Sequence, residues 1–376
     1  MPDITDTISE KDTKKKNEES LKKPDVQVDI VYNEKTEDDE MAWAETEVVQ
    51  SFLKEVAEWV NKVSFSKFSK VIKKRVIGQE NIDIILADIY NYLENISLNK
   101  KINNNALMAA PSGCGKTETY RALKDYFKIH IPDLVIAQVD VSVITEEGIT
   151  GGGTELITEP LMESDLGGYG IIFMDEFDKK LIPSFAEGSN INAAVQNQLL
   201  TIIEGREVAE IFEGNPTGYT IDTSKTMFIG LGSFNESRET KKKQSKNGLG
   251  FNSIEEKHDY FEDITREDMI KLGASYEMIG RFPFIINYHS LDHSAVEKII
   301  NKTVKEISES FSVKISISSK MKELLHKEAN GVYGCRMIDS LIRSITMKKY
   351  VSILKDGLDR DECVIKINGI DDAEIA

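Results

Sequence analysis

The sequence predicts an α/β fold: a parallel sheet with helices on both faces, followed by a smaller, mainly helical α+β domain. Three observations carry this expectation. Short continuous apolar runs at 105–109, 135–139, 170–174 and 226–230 alternate with helical stretches, as strands buried on both faces do. A turn of small residues, Ala110 to Thr117, joins the first run to a helical segment. Past Phe284 the pattern changes to helices at 295–311, 320–329 and 335–354, with short strands near Val313 and Val364.

In chain order, residues 1–40 are rich in Asp, Glu, Lys, Ser and Thr and poor in large apolar side chains. Such a segment cannot bury enough surface to offset its ordering entropy, so a disordered acidic tail is expected. Residues 41–66 read as an amphipathic helix, because Val49, Phe52, Leu53, Val56, Trp59, Val60 and Val63 recur at spacings of three and four. That face either packs on the following domain or docks a partner. A Lys-rich step from Lys67 to Arg75 leads to Val76-Ile77-Gly78-Gln79 and a helical stretch through Ile84, Ile85, Ile89 and Leu93. The large domain is placed at 67–286 and the small one at 287–370. Between Glu236 and Asp263 a polar, Lys-rich stretch reads as a loop or insertion.

Bulk properties narrow the partners. The 376 residues carry a net charge of −17, which disfavours broad binding to phosphate backbones. Cys114, Cys335 and Cys363 are scattered, without zinc or disulfide spacing, which fits a reducing compartment. No apolar run approaches the roughly 18 residues of a membrane span, and the N-terminus lacks a secretory pattern. A cytoplasmic protein with no membrane partner is expected.

The turn after the first strand has the chemistry of a phosphate loop. Pro111, Ser112, Gly113, Cys114 and Gly115 let backbone N–H groups fold around phosphates, and the helix N-terminus adds positive potential. Lys116 is expected to reach the β- and γ-phosphates of ATP, and the Thr117 hydroxyl to hold Mg²⁺. Ala110 stands where Gly is usual, a small change in size. The acidic complement is Asp175-Glu176, closing an apolar strand. A carboxylate there sits at the ligand-binding edge of a parallel sheet. Asp175 is the expected Mg²⁺ ligand, and Glu176 the group that polarises the attacking water.

With these residues in place, a family resemblance becomes specific. Val76-Ile-Gly-Gln79, the phosphate loop and the run from Ile172 to Lys179 resemble the Clp/HslU group of AAA+ ATPases, most of all the ClpX unfoldases. Ile221–Ile229 resembles the sensor-1 strand, Tyr276–Pro283 the arginine-finger segment, and Gly331–Arg336 the sensor-2 turn. The resemblance spans about residues 70–370 and implies a homo-hexameric ring that acts on a protein substrate. It implies that Val76 and Ile77 pack against adenine, that Arg281 reaches a neighbouring subunit's γ-phosphate, and that Arg336 touches the phosphates within its own chain. Ser233 and Asn235 are both candidates for the polar sensor-1 residue.

Two loops bear on what such a motor does. Ile149 and Thr150, between Gly148 and Gly151, stand where the family carries an aromatic-aliphatic pore loop. Leu249-Gly250-Phe251 matches the tripeptide that docks such rings onto a ClpP-type peptidase. Departures are also visible. No cysteine pair precedes Cys114, so the zinc-binding N-terminal domain is expected to be missing, and the basic loop expected near Glu213–Pro216 is missing too. His289 and His293 have helical metal spacing but no third ligand, so no metal site is expected there.

These features point to an ATP-dependent protein unfoldase or remodeller. One alternative is a nucleotide-switched assembly factor that releases a partner without threading it. Another is a helicase loader or other nucleic-acid motor, against which the net charge and the lack of a basic, aromatic pore segment count.

Overall fold

The computed structural model describes residues 37–100, 102, 104–145, 153–186, 188–212, 215–246, 262–329 and 334–376. Helices α1 (Glu37–Lys62), α2 (Phe65–Lys73) and α3 (Ile82–Ser97) precede strand β1 (Ala106–Ala109). Next come α4 (Lys116–His130), β2 (Val135–Asp140), α5 (Glu155–Met162), β3 (Gly170–Asp175) and α6 (Phe177–Leu181). The short pair β4 (Phe185–Ala186) and β5 (Ser189–Asn190) leads into α7 (Ile191–Glu204), followed by β6 (Glu207–Phe212), β7 (Asn215–Asp222) and β8 (Thr226–Gly232). Helices α8 (Asn235–Lys246), α9 (Arg266–Leu272) and α10 (Tyr276–Gly280) then deliver β9 (Phe284–Asn287). The remainder is α11 (His293–Phe311), β10 (Lys314–Ile317), α12 (Ser319–Ala329), α13 (Arg336–Asp356), β11 (Val364–Ile367) and β12 (Ala373–Ile375).

The expected parallel sheet is present, with five strands in the order β2-β3-β8-β1-β9. Its strands alternate between two apolar layers, as the period of two requires. Ala106, Met108, Ile171, Phe173, Met227 and Ile229 face one core; Leu107, Ala109, Ile172, Met174 and Phe228 face the other. That two-sided burial is why these runs read as continuously apolar in sequence. Every strand enters from one edge, so the chain segments leaving β1, β3 and β8 emerge together at the opposite edge. A third core belongs to the C-terminal region, where Val296, Ile300, Met321, Leu325, Ile342 and Ile365 pack among α11, α12, α13 and β11.

Helix α1 uses its apolar stripe as core. Phe52, Val56, Trp59 and Val60 are buried, and the Trp59 ring lies 5.6 Å from Phe68 and 5.4 Å from Phe127, centroid to centroid. Of the two readings of that face, packing accounts for these side chains. Trp59→Ala is therefore expected to destabilise the fold by about 3–5 kcal/mol, the usual cost of truncating a buried aromatic. Urea denaturation followed by circular dichroism measures this, and a loss below about 1 kcal/mol would mean that α1 is not integral to the core.

Three segments differ from the sequence reading. The Lys-rich step folds as α2, because Phe68 and Ile72 fall on one face and are buried while the lysines stay outside. The polar stretch after β8 begins as helix α8 rather than a loop, with Ser237 and Arg238 buried along it. Strand β9 was not foreseen as part of the sheet, yet it pairs with β1 from Ala106↔Phe284 to Ala109↔Asn287. A four-residue edge strand has too little periodicity to stand out from its flanks. Leu249, Gly250 and Phe251 lie outside the described residues, as do Ile149 and Thr150. Among the described residues no helix is long and apolar enough to cross a membrane.

Candidate functional site

The site is built at the C-terminal edge of the sheet, where the strand order brings three loops together. Because β8 lies between β3 and β1, the phosphate loop, Asp175-Glu176 and Ser233-Phe234 leave neighbouring strands side by side. At the end of the loop Gly115 has φ 102°, a conformation that an L side chain rarely adopts. From there α4 starts at Lys116, so its first N–H groups point toward the loop.

Lys116 turns back over this loop, donating to the carbonyl oxygen of Ala110 and, at 3.4 Å, to that of Pro111. Burial pushes its ammonium down to about 8, Asp178 and Asp175 act against that push, and Arg336 adds to it. A desolvated cation in a cradle of carbonyl oxygens and backbone N–H groups is suited to an anionic ligand. Thr117, in the same first turn, is half-buried.

Asp175 and Glu176 close β3 as expected. Asp175 accepts a hydrogen bond from Gln138 Nε2 at 2.5 Å and one from the Glu176 N–H at 3.0 Å. Glu176 caps α6 in a left-handed conformation, φ 57°, with Lys179 Nζ 3.2 Å from its carboxylate. Between the two sensor-1 candidates the structure separates the surroundings. The Ser233 hydroxyl donates to Asp178 Oδ2 at 3.2 Å, beside Lys116, whereas Asn235 is exposed at the start of α8.

The approach to the loop from the N-terminal side is equally defined. Val76 is buried, and a Cβ built on Gly115 would lie 3.8 Å from both Val76 and the Tyr288 ring. Ile77 instead packs against the C-terminal core. The buried Gln79 amide donates to the Cys114 carbonyl at 3.2 Å and to the His289 carbonyl at 3.0 Å, and accepts from the His289 N–H at 3.1 Å. Gln79 thus ties the phosphate loop to the segment that leaves the sheet. Val76 and Ile77 straddle the same junction, a location suited to a flat apolar base.

The two arginines are separated by the fold. Arg336 opens α13 two residues after Gly334, which packs on the phosphate loop. Its neighbour Gly334, at φ 56°, lies so close that an added Cβ would be 2.5 Å from the Ser112 carbonyl oxygen. Burial pushes the Cys335 thiol up to about 12, with Cys114 nearby adding to the shift. Arg281 follows α10 and pairs with Glu204 of its own chain, leaving its side chain about half exposed. Within one chain, then, Arg336 joins the phosphate loop and Arg281 does not. His289 pairs with Asp263 at 2.7 Å, while the His293 ring stacks on His326, so the two histidines point to different partners.

Two buried polar residues of the site escaped the sequence reading. Asp178 and Arg238 both hold the turn that leaves β8. In sequence Asp178 reads as one more acid of the turn after β3, and Arg238 sits in a run of charges indistinguishable from a solvated face.

A family described as AAA domain (Cdc48 subfamily) matches residues 100–285, the span from just before β1 into β9. The chain is 28% identical over 287 residues to the ATP-dependent Clp protease ATP-binding subunit ClpX of Azotobacter vinelandii, an alignment covering 65% of this chain and 63% of that protein. It is 27% identical over 281 residues to the protein of the same description from Treponema denticola, covering 66% of each. The chain therefore spans just under two thirds of the length of these relatives. Residues 100–285 are thus an AAA domain, and the chain, with a five-stranded parallel sheet, a phosphate loop and an adjoining helical region, is similar to the ClpX ATP-binding subunits.

Proposed function

We propose that this chain binds and hydrolyses ATP and uses the cycle to unfold or remodel protein substrates, working as a homo-hexameric ring. The observation that supports this most is the convergence of Lys116, Asp175, Glu176, Ser233 and Arg336 at one edge of the sheet, with Arg281 left outward. Lys116 and the N–H groups of the loop hold the phosphates. Glu176 orients and polarises the attacking water, and Ser233 is the sensor-1 residue that would turn its hydroxyl to that water or the γ-phosphate. Thr117 and Asp175, a hydroxyl and a carboxylate, are hard oxygen donors that fit Mg²⁺, which when bound offsets charge on the phosphates. Val76 and Ile77 line the base. Arg336 senses the phosphates from the C-terminal region, and Arg281 completes the site of a neighbouring copy.

Hydrolysis then becomes motion through the contact at Gly334. Loss of the γ-phosphate releases Arg336, and the C-terminal region can rotate relative to the sheet. In a ring, successive rotations would pull a polypeptide past Ile149 and Thr150. Leu249-Gly250-Phe251 would dock a ClpP-type peptidase, and the location would be cytoplasmic. A second reading, a nucleotide-switched assembly factor, is favoured by the substitution of Ile149 and Thr150 for an aromatic-aliphatic pair, which weakens a grip.

Stimulation of ATP turnover separates these readings. An unfolded protein such as casein is expected to raise the ATPase rate, while DNA leaves it unchanged. Stimulation by one folded partner alone would favour the switch; stimulation by DNA would overturn both. Deleting Leu249-Gly250-Phe251 is expected to leave basal turnover intact and abolish co-sedimentation with the host peptidase, because one weak contact repeated around a ring is lost at every copy.

A further inference from the structure

Asp178 is a buried charge at this site that the proposed chemistry does not use. It is only 5% exposed, on the single turn of helix that follows Glu176. Its Oδ2 accepts the Phe234 N–H at 2.6 Å and the Ser233 hydroxyl at 3.2 Å. Its Oδ1 is buried without a hydrogen-bond partner among the described residues. A buried carboxylate so placed carries a cost, and something must hold it there.

The surroundings show what it holds. Glu176 and Phe234 both adopt left-handed backbone conformations, φ 57° and 53°, which non-glycine residues keep only where the structure over-determines them. They flank Asp178, one on α6 and the other on the turn leaving β8. From the far side Arg238 Nε donates to the Ser233 carbonyl at 3.1 Å and its guanidinium reaches the Glu262 carbonyl at 2.7 Å. Gly232 closes the space, since an added Cβ would meet the Phe234 ring at 2.5 Å and Asp178 Cβ at 3.0 Å. A five-residue helix cannot fix its own orientation. The direction in which Glu176 presents its carboxylate must therefore come from what α6 is fastened to.

We propose that Asp178 is a positioning residue for ATP hydrolysis, fastening α6 to the Ser233-Phe234 turn so that Glu176 is held toward the attacking water. It acts through Glu176 and does not touch the nucleotide. The inference rests on the reading of Glu176 as the water-polarising group, and the test is built to separate the two.

Steady-state kcat and KM for ATP, nucleotide affinity from a fluorescent ATP analogue, and thermal melting are measured for Asp178→Ala and Asp178→Asn, alone and with Glu176→Gln. Asp178→Ala is expected to lower kcat by about 10²-fold, the usual penalty for an ångström of misplacement, with nucleotide affinity within about twofold of wild type. Asp178→Asn keeps a carbonyl acceptor for the Phe234 N–H, so its kcat is expected within about fivefold of wild type. In the Glu176→Gln background Asp178→Ala should lower kcat no further, because both changes remove the same contribution. Multiplicative losses in the double variant, or wild-type kcat in Asp178→Ala, would overturn the inference. So would an equal fall of kcat and affinity in both single variants, which marks collapse of the site. Should Asp178→Ala not fold, Asp178→Asn decides alone: a loss near 10²-fold there would mean that charge matters and the fastening does not. A wild-type chain that turns over no ATP would instead remove the proposed function, and this inference with it.

Discussion

Glu176→Gln is expected to bind ATP as tightly as wild type while turnover falls by about 10²–10⁴-fold, the range for a group that handles a proton in the transition state. The amide keeps the size of the side chain and loses the basicity, so the ground-state complex is spared. Lys116→Ala is the converse. Its ammonium is desolvated by burial, already turned into the phosphate loop and held by backbone carbonyl oxygens. Removing a charged contact of this kind costs about 1.5–3 kcal/mol, or about 10–150-fold in nucleotide affinity. Isothermal titration with ATP, beside phosphate-release kinetics, resolves the pair. Equal affinity in wild type and Lys116→Ala would remove Lys116 from the site, and undiminished turnover in Glu176→Gln would send the search for the water-polarising group elsewhere.

Arg281→Ala is expected to lower turnover by about 10³-fold or more, the effect of an arginine finger, with little change in ATP affinity of the isolated chain. The basis is geometric. In its own chain Arg281 pairs with Glu204, whereas Arg336 follows two residues after Gly334, which packs on the phosphate loop at Ser112. An arginine that acts on phosphate must then act on another copy. That pair with Glu204 is solvent-exposed and weak, so it can be exchanged for a phosphate contact at little cost. Mixing Arg281→Ala with Glu176→Gln subunits should recover part of the lost turnover, because some interfaces then join an intact arginine to an intact glutamate. Analytical ultracentrifugation with and without ATP provides the accompanying measure of assembly. If Arg281→Ala hydrolyses ATP at the wild-type rate, or if the mixture recovers nothing, catalysis does not depend on a neighbour's arginine.

Much of this protein could be read from its residues alone, for a definable reason. The strands at 106–109, 170–175 and 226–232 are buried on both faces, so each is a nearly continuous apolar run, and the amphipathic helices carry their period in neighbouring residues. The phosphate loop and Asp175-Glu176 are equally local, because their chemistry depends on a few consecutive residues at the end of a strand. What the residues left open depends on pairings between distant parts of the chain. The order β2-β3-β8-β1-β9 decides that Ser233 lies between the phosphate loop and Glu176, and no local period encodes which strand sits beside which. Strand β9 owes its place to pairing with a segment some 180 residues earlier, as the register Ala106↔Phe284 records. Asp178 and Arg238 look like surface charges in sequence and became buried supports only when β8, α6 and α8 met. The same holds for the arginines: both read as phosphate contacts, and only the packing of Gly334 against Ser112 put Arg336 at the loop of its own chain while Arg281 was left facing outward. Local periodicity and short motifs determined the elements and the chemistry at hand; long-range contacts decided which of the polar groups could act together.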